Sequence, residues 1–188
     1  MTAYRKPIVL ENGQLEQVQA GDGLDAGAFQ VPASLGAPNQ VLAVPASGTL
    51  LQWVDPEVSD IPLVNDNAGP IVIGAPVYVK ADGNVDLAKA DAQATADVLG
   101  LVKDTSIATT VAGNVLLDGV LTATTAQWDA VAGTTGGLVP GTVYFLSAAT
   151  AGQLTATPPS TAGQFVVRVG KALSATQLNL VLAAPIKL

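Results

Sequence analysis

A mainly β fold is what this sequence predicts: an extended N-terminal arm with short hairpins, then a compact β-sandwich or β-barrel domain. Three observations carry that prediction. Apolar residues come in short runs cut by Gly, Asn, Asp and Pro, with little helical periodicity. Strict alternation recurs late in the chain, at Phe165, Val167 and Val169 and again at Leu178, Leu180 and Leu182. Hydrophobic residues make up 49% of the chain but aromatics only 4%, so the apolar content is mostly Ala, Val and Leu. Such side chains pack closely yet give few bulky anchors, and association with other copies would add the burial a thin core lacks.

The first segment, residues 1–69, holds apolar pieces at Ile8-Val9-Leu10, at Val41-Leu42-Ala43-Val44 and at Leu50-Leu51-Gln52-Trp53-Val54. Turn residues separate them at Asn12-Gly13, Gly21-Asp22-Gly23 and Ser47-Gly48. Asn-Gly is a strong hairpin signal between strands, although only the upstream side looks strand-like. The Pro- and Asp-containing stretch 55–70 reads as a linker, which sets the domain boundary at 69/70.

Residues 70–188 form the predicted β domain. Val77-Tyr78-Val79-Lys80, Asp82-Gly83-Asn84 and Val85-Asp86-Leu87 read as strand, tight turn, strand. The Ala-rich stretch 88–97 suits a short helix or a loop, and 98–102 a buried strand. Residues 107–111 and 115–122 read as a second hairpin turning at Ala112-Gly113-Asn114. Val143-Tyr144-Phe145-Leu146 is expected to face Gln153-Leu154-Thr155, and the alternating runs supply the last strands. Gly74-Ala75-Pro76-Val77-Tyr78-Val79 also echoes Gly141-Thr142-Val143-Tyr144-Phe145-Leu146. Two related halves would explain that echo, and so would chance similarity between Val- and Gly-rich strands.

Net charge is −7 with a pI near 4.2, which argues against a nucleic-acid footprint. Charged residues are 12% of the chain, about half the usual share. Every acidic residue lies at or before Asp129; beyond it the charges are Arg168, Lys171 and Lys187. A face covered by a neighbour has that character, and so has a β surface solvated by Thr and Gln. The absence of Cys removes disulfides and thiolate chemistry, and the absence of His removes the commonest general base. The apolar run after Arg5 and Lys6 is short for a signal peptide, and no stretch approaches a membrane span.

Tests for chemistry yield no expected catalytic residue, metal site or cofactor. Asp82-Gly83-Asn84-Val85-Asp86 begins like a calcium loop, but Leu87 stands where the sharp turn needs Gly and Gln93 where a bidentate Glu should close it. A plain turn explains it better, and the same holds for Asn65-Asp66-Asn67. Gly170-Lys171-Ala172 lacks the hydroxyl of a phosphate loop, and the Gly21–Gly27 run lacks dinucleotide spacing. Carboxylate pairs are available, yet none stands out for glycoside hydrolysis and aromatics for a sugar cleft are few. Trp53 and Trp128, with Tyr144 and Phe165, are the expected anchors of a core or of an interface between copies. Thr124 or Thr125 would cap a helical turn carrying Trp128.

Three stretches resemble virion proteins of tailed bacteriophages. Pro7-Ile8-Val9-Leu10-Glu11-Asn12-Gly13-Gln14-Leu15, continuing to Ala20-Gly21-Asp22, resembles the start of fibre and head-fibre proteins. Leu35-Gly36, Gln40-Val41-Leu42, Gly48 and Leu51-Gln52-Trp53 resemble a small tail-fibre motif. Trp128-Asp129, then Gly136-Gly137-Leu138-Val139-Pro140-Gly141-Thr142-Val143-Tyr144-Phe145-Leu146 and Gly163-Gln164-Phe165-Val166-Val167-Arg168-Val169-Gly170-Lys171, is similar to a C-terminal β domain of decoration and fibre proteins. The resemblance covers roughly half the chain. It implies a non-enzymatic homotrimer, made in the host cytoplasm, that sits on the virion as a capsid decoration (cement) protein or short head fibre. Its implied partners are itself, the major capsid protein and other virion proteins, with no nucleic acid and no membrane. Capsid contact is expected at Tyr4, Arg5, Lys6, Ile8, Val9 and Leu10. A tail-fibre or receptor-binding adhesin attached through its N-terminus is the rival expectation.

Overall fold

The computed structural model describes residues 8–11, 14–17, 24–25, 30–31, 41–43, 52–54 and 60–188. The chain divides into two compact units, Met1–Val58 and Ser59–Leu188. Among the described residues the protein is mainly β, with antiparallel sheets and two short helices.

Among its described residues the first unit shows three strand pairs. Strand β1 (Ile8–Glu11) pairs with β2 (Gln14–Gln17), Glu11 lying opposite Gln14. The side downstream of Asn12-Gly13 is therefore also a strand, although its residues other than Leu15 are polar. Next, β3 (Leu24–Asp25) pairs with β4 (Gln30–Val31), and β5 (Val41–Ala43) with β6 (Gln52–Val54). The turns expected at Asn12-Gly13, Gly21-Asp22-Gly23 and Ser47-Gly48 lie outside the described residues.

The second unit runs β7 (Asp60–Val64), β8 (Ile71–Val72), β9 (Pro76–Val79), β10 (Val85–Leu87), α1 (Gln93–Ala96), β11 (Gly100–Val102), β12 (Ser106–Ile107) and β13 (Ala112–Leu116). It continues with β14 (Gly119–Thr122), α2 (Thr125–Ala132), β15 (Val143–Leu146), β16 (Leu154–Thr155), β17 (Phe165–Val166), β18 (Arg168–Ala172), β19 (Gln177–Leu180) and β20 (Ile186–Lys187). The hairpin expected around Asp82-Gly83-Asn84 is β9–β10, and the facing pair Leu146 and Leu154 joins β15 to β16.

Two expectations need correction. The stretch read as a linker carries β7, which pairs along its full length with β13. Pro62 suggested a break, but β7 is an edge strand, where a missing N–H leaves no ladder bond unmade. The hairpin expected to turn at Ala112-Gly113-Asn114 does not form either. Those residues lie inside β13, and the chain turns earlier, where Val111 N–H donates to the Ala108 carbonyl and Thr110 takes φ 63°. Gly113 serves for space: a Cβ there would run into the Ile107 side chain.

The two five-stranded sheets share one topology. Their orders are β10-β9-β11-β13-β7 and β16-β15-β18-β19-β14, the same path traced twice along the chain. The registers agree as well. Val79 opposes Val85 as Leu146 opposes Leu154, and Gly100 opposes Val77 as Gly170 opposes Tyr144. Val115 meets Val102 and Ile61 as Leu178 meets Ala172 and Leu121. A Cβ at Gly100 would collide with the Leu116 carbonyl oxygen, and one at Gly170 with that of Asn179, again matching positions. The echo seen in the sequence is thus part of a repeat in backbone topology.

Burial differs between the halves. Val77, Val85, Val102, Val115, Ile71 and Ile107 form a small cluster on one face of the first sheet. Leu101 and Leu116, alternating with them, enter a larger cluster with Leu121, Trp128, Tyr144, Leu154, Phe165 and Leu178 of the second half. Backbone bonds cross between the halves: Ala90 N–H to the Ser147 carbonyl at 3.0 Å, Gly152 N–H to Ala88 at 2.8 Å and Phe165 N–H to Ala90 at 3.0 Å.

Candidate functional surface

Of the expected contact residues, Tyr4, Arg5 and Lys6 lie outside the described residues. Ile8, Val9 and Leu10 fall in β1, opposite Gln17, Glu16 and Leu15, with their side chains outside the described set. Trp53 lies in β6 opposite Leu42 and is half-buried. Trp128, Tyr144 and Phe165 are brought together in the larger core cluster, all three buried. As anchors they hold this unit's own interior.

Trp128 reaches that position through local sequence. Thr124 caps α2, its hydroxyl accepting from Gln127 N–H while the Gln127 side chain accepts from Thr124 N–H. Gly133 ends the helix in the left-handed region. The indole N–H donates to the Thr176 carbonyl at 3.0 Å, and the ring lies against Gly74 of the first half. Asp129, one residue on, accepts from Gly137 N–H at 2.8 Å, from Gly136 N–H and from the Thr134 hydroxyl. Those donors, the Gly137 N–H foremost, hold its carboxyl below the usual Asp range against a smaller opposing effect of desolvation.

Of the loops tested for chemistry, the Gly21–Gly27 run lies outside the described residues but for Leu24 and Asp25, and the others are held by their own hydrogen bonds or lie within a strand. Asp82 accepts from Asn84 N–H at 3.0 Å inside the β9–β10 turn. Asn65 is fully buried; its amide donates to the Gly69 and Ile107 carbonyls and its oxygen accepts from Asn67 N–H. Gly170-Lys171-Ala172 lies within β18. Among the described residues no group of three or more acidic, His or Cys side chains is placed to hold a metal ion. Nor is any helix among them long and apolar enough to cross a membrane.

Surface chemistry separates the two halves. In the first half each Lys is paired: Lys80 with Asp66, Lys89 with Asp91 at 2.7 Å and Lys103 with Asp60 at 2.6 Å. In the second half Arg168, Lys171 and Lys187 make no ion pair among the described residues. Exposed aliphatic side chains are more numerous there: Val120, Val139, Leu173, Val181, Ile186 and Leu188. An apolar cavity of about 300 Å3 opens between the halves, lined by Val72, Ile73 and Thr105 on one side and Ala126, Gln127 and Ala130 on the other. Sequence reasoning found the charge asymmetry but not these exposed aliphatics. An apolar residue beside a turn has the same pattern whether a neighbour covers it or not. No protein-family model matches the chain, and comparison with curated proteins finds no significant match.

Proposed function

We propose that this chain is a structural protein of a tailed-bacteriophage particle, a capsid decoration protein or short head fibre that acts as a homotrimer. The carrying observation is the second half of the unit 59–188. Exposed Val139, Leu173 and Ile186 accompany cations without ion partners, and the half's one carboxylate, Asp129, is engaged by its own loop. Such a surface suits adhesion to other protein surfaces better than turnover of a small molecule. The sequence resemblance to decoration and fibre proteins supports the same reading. So does the N-terminal arm, in which Tyr4, Arg5, Lys6, Ile8, Val9 and Leu10 are the proposed capsid contacts.

Attachment rests on many weak contacts made in parallel, with avidity in the trimer raising effective affinity. Deleting residues 1–10 should abolish particle coating while the 59–188 unit keeps its fold. Full occupancy by the truncated chain would remove the arm from the reading. A stable monomer by light scattering at micromolar concentration would remove the trimer. Labelling the protein and imaging intact particles separates capsid from tail; density at the tail tip would favour the receptor-binding adhesin instead.

A further inference from the structure

The first half carries a cavity with an unmatched charge. It measures about 230 Å3 and is lined by Val79, Ala94, Val98 and Leu99 together with Asp97. The Asp97 carboxylate is exposed, accepts no hydrogen bond and pairs with no cation among the described residues. Its position gives it no local reward, because it follows the last residue of α1, where the helix carbonyls disfavour an anion. Nor has the first half a cation to spare: Lys80, Lys89 and Lys103 are each held by another Asp. The cavity is smaller than the roughly 300–1,000 Å3 of small-molecule sites. Four apolar residues beside one carboxylate fit a single basic side chain, whose stem is apolar and whose head is charged.

The second half has the converse. Lys171 on β18 is exposed, and the one carboxylate of that half, Asp129, is taken by its own loop. Strand registers place Val143, Lys171, Asn179 and Val120 in one row across β15, β18, β19 and β14. All four stand on the sheet face turned away from the core, since Tyr144, Ala172, Leu178 and Leu121 alternate with them and are buried. Val120 is 46% exposed and Val143 half-buried, so the ammonium rises between apolar shoulders. The other two cations of this half suit the cavity less. Arg168 has its Nε covered, and the apolar neighbours of Lys187, Ile186 and Leu188, alternate to the opposite side of its strand.

We infer that Lys171 of one copy seats in the Asp97 cavity of the next, so that the outer face of the second sheet docks on the first half of a second copy. The distribution of charge argues for that partner. Residues 59–118 hold eight Asp and three Lys, all three paired, whereas 119–188 hold one Asp and three cations. The two patches lie at different places on one chain, so the contact is heterologous and closes only as a ring. Three copies in such a ring are the homotrimer proposed above; the inference rests on that reading and names the side chains that join the copies.

The chain has no Cys, which makes disulfide trapping clean. Chains carrying Asp97→Cys and Lys171→Cys, mixed and oxidised, should give a crossed dimer on a non-reducing gel, while neither alone should crosslink. Light scattering on the full chain reads the affinity. Lys171→Glu or Asp97→Lys should weaken association about tenfold, and the two together in one chain should restore it. Lys187→Glu, at another unpaired cation, should leave it unchanged. All three side chains are exposed, so these variants should keep the fold, which far-UV circular dichroism checks. A trimer that keeps its affinity in both single reversals, or gives no crossed dimer, would overturn the inference and leave the trimer reading standing. A monomeric parent chain would remove both. A loss that the double reversal does not repair, or an equal loss with Lys187→Glu, would assign the effect to overall charge and also overturn the inference.

Discussion

The two halves of the unit 59–188 trace the same five-stranded path in the same register, yet they bury different residues. Leu101 and Leu116 are buried, while the matching Lys171 is exposed and Asn179 half-buried. Backbone features persist where side chains have diverged: the glycine of the entry turn, the glycine that lets two strands approach, and the order of pairing. Topology here rests on a few positions with strict steric demands, while the environment of each face decides what fills the rest. The connection before the second strand also differs. A loop pinned by Asn65 serves the first half and the capped helix α2 serves the second.

If Trp128 joins the halves, removing it should have the largest effect. Trp128→Ala deletes a fully buried ring between α2 and Gly74 and removes one of the two donors to the Thr176 carbonyl, which keeps the Ala123 N–H. Large-to-small changes of this kind cost about 3–5 kcal/mol. Chemical denaturation followed by tryptophan-independent far-UV dichroism measures the loss. A change below about 1 kcal/mol would show that the halves are stabilised independently of this ring.

The matched glycines sharpen the comparison. Gly141→Ala should cost only the strain of a Cβ at positive φ, about 1–2 kcal/mol. Gly74→Ala carries the same strain and also forces the Trp128 ring to move, adding about 1–3 kcal/mol of overpacking. In the Trp128→Ala background the two costs should converge, a coupling that a double-mutant cycle reads directly. Equal costs in the parent protein would mean that the ring yields freely. The two connections can be set against each other in the same way. Asn65→Ala removes the donor to the buried Ile107 carbonyl and the acceptor of Asn67 N–H, while the Gly69 carbonyl keeps the Asn67 amide; it should cost about 2 kcal/mol, against about 1 kcal/mol for removing the Thr124 cap.

Much of the strand content was legible because alternation and turn residues are local signals. Phe165, Val167 and Val169 are buried between half-buried neighbours, as their spacing requires, and Thr124 was readable as a cap. What escaped depends on distant partners. Pro62 marks a break unless the strand is known to lie at an edge, and only the pairing with β13 shows that. Gly113 looks like a turn residue until Ile107 is seen packed against it. The echo at Gly74 and Gly141 was visible, but its meaning needed the strand orders. The uncovered state of Val139 and Leu173 left no local trace.

The smallest effect separates the loop after α2 from its plainer counterpart in the first half. Asp129 binds Gly136, Gly137 and Thr134, and these bonds favour its ionised form, so its folded pKa lies below the ordinary 3.8. A depressed carboxylate pKa contributes stability that is present above the unfolded value and fades as pH falls through the folded one. Asp129→Asn should therefore lower the melting temperature near neutral pH, and the gap from the parent should narrow as pH falls from about 4 through the lowered folded pKa, closing where the Asp is also neutral. Because the side chain meets solvent, the gap should be modest. Melting curves between pH 2.5 and 7 (roughly the span over which a carboxyl titrates) decide the matter. A gap that stays constant with pH would mean that the loop depends on the shape of the side chain at 129 and not on its charge.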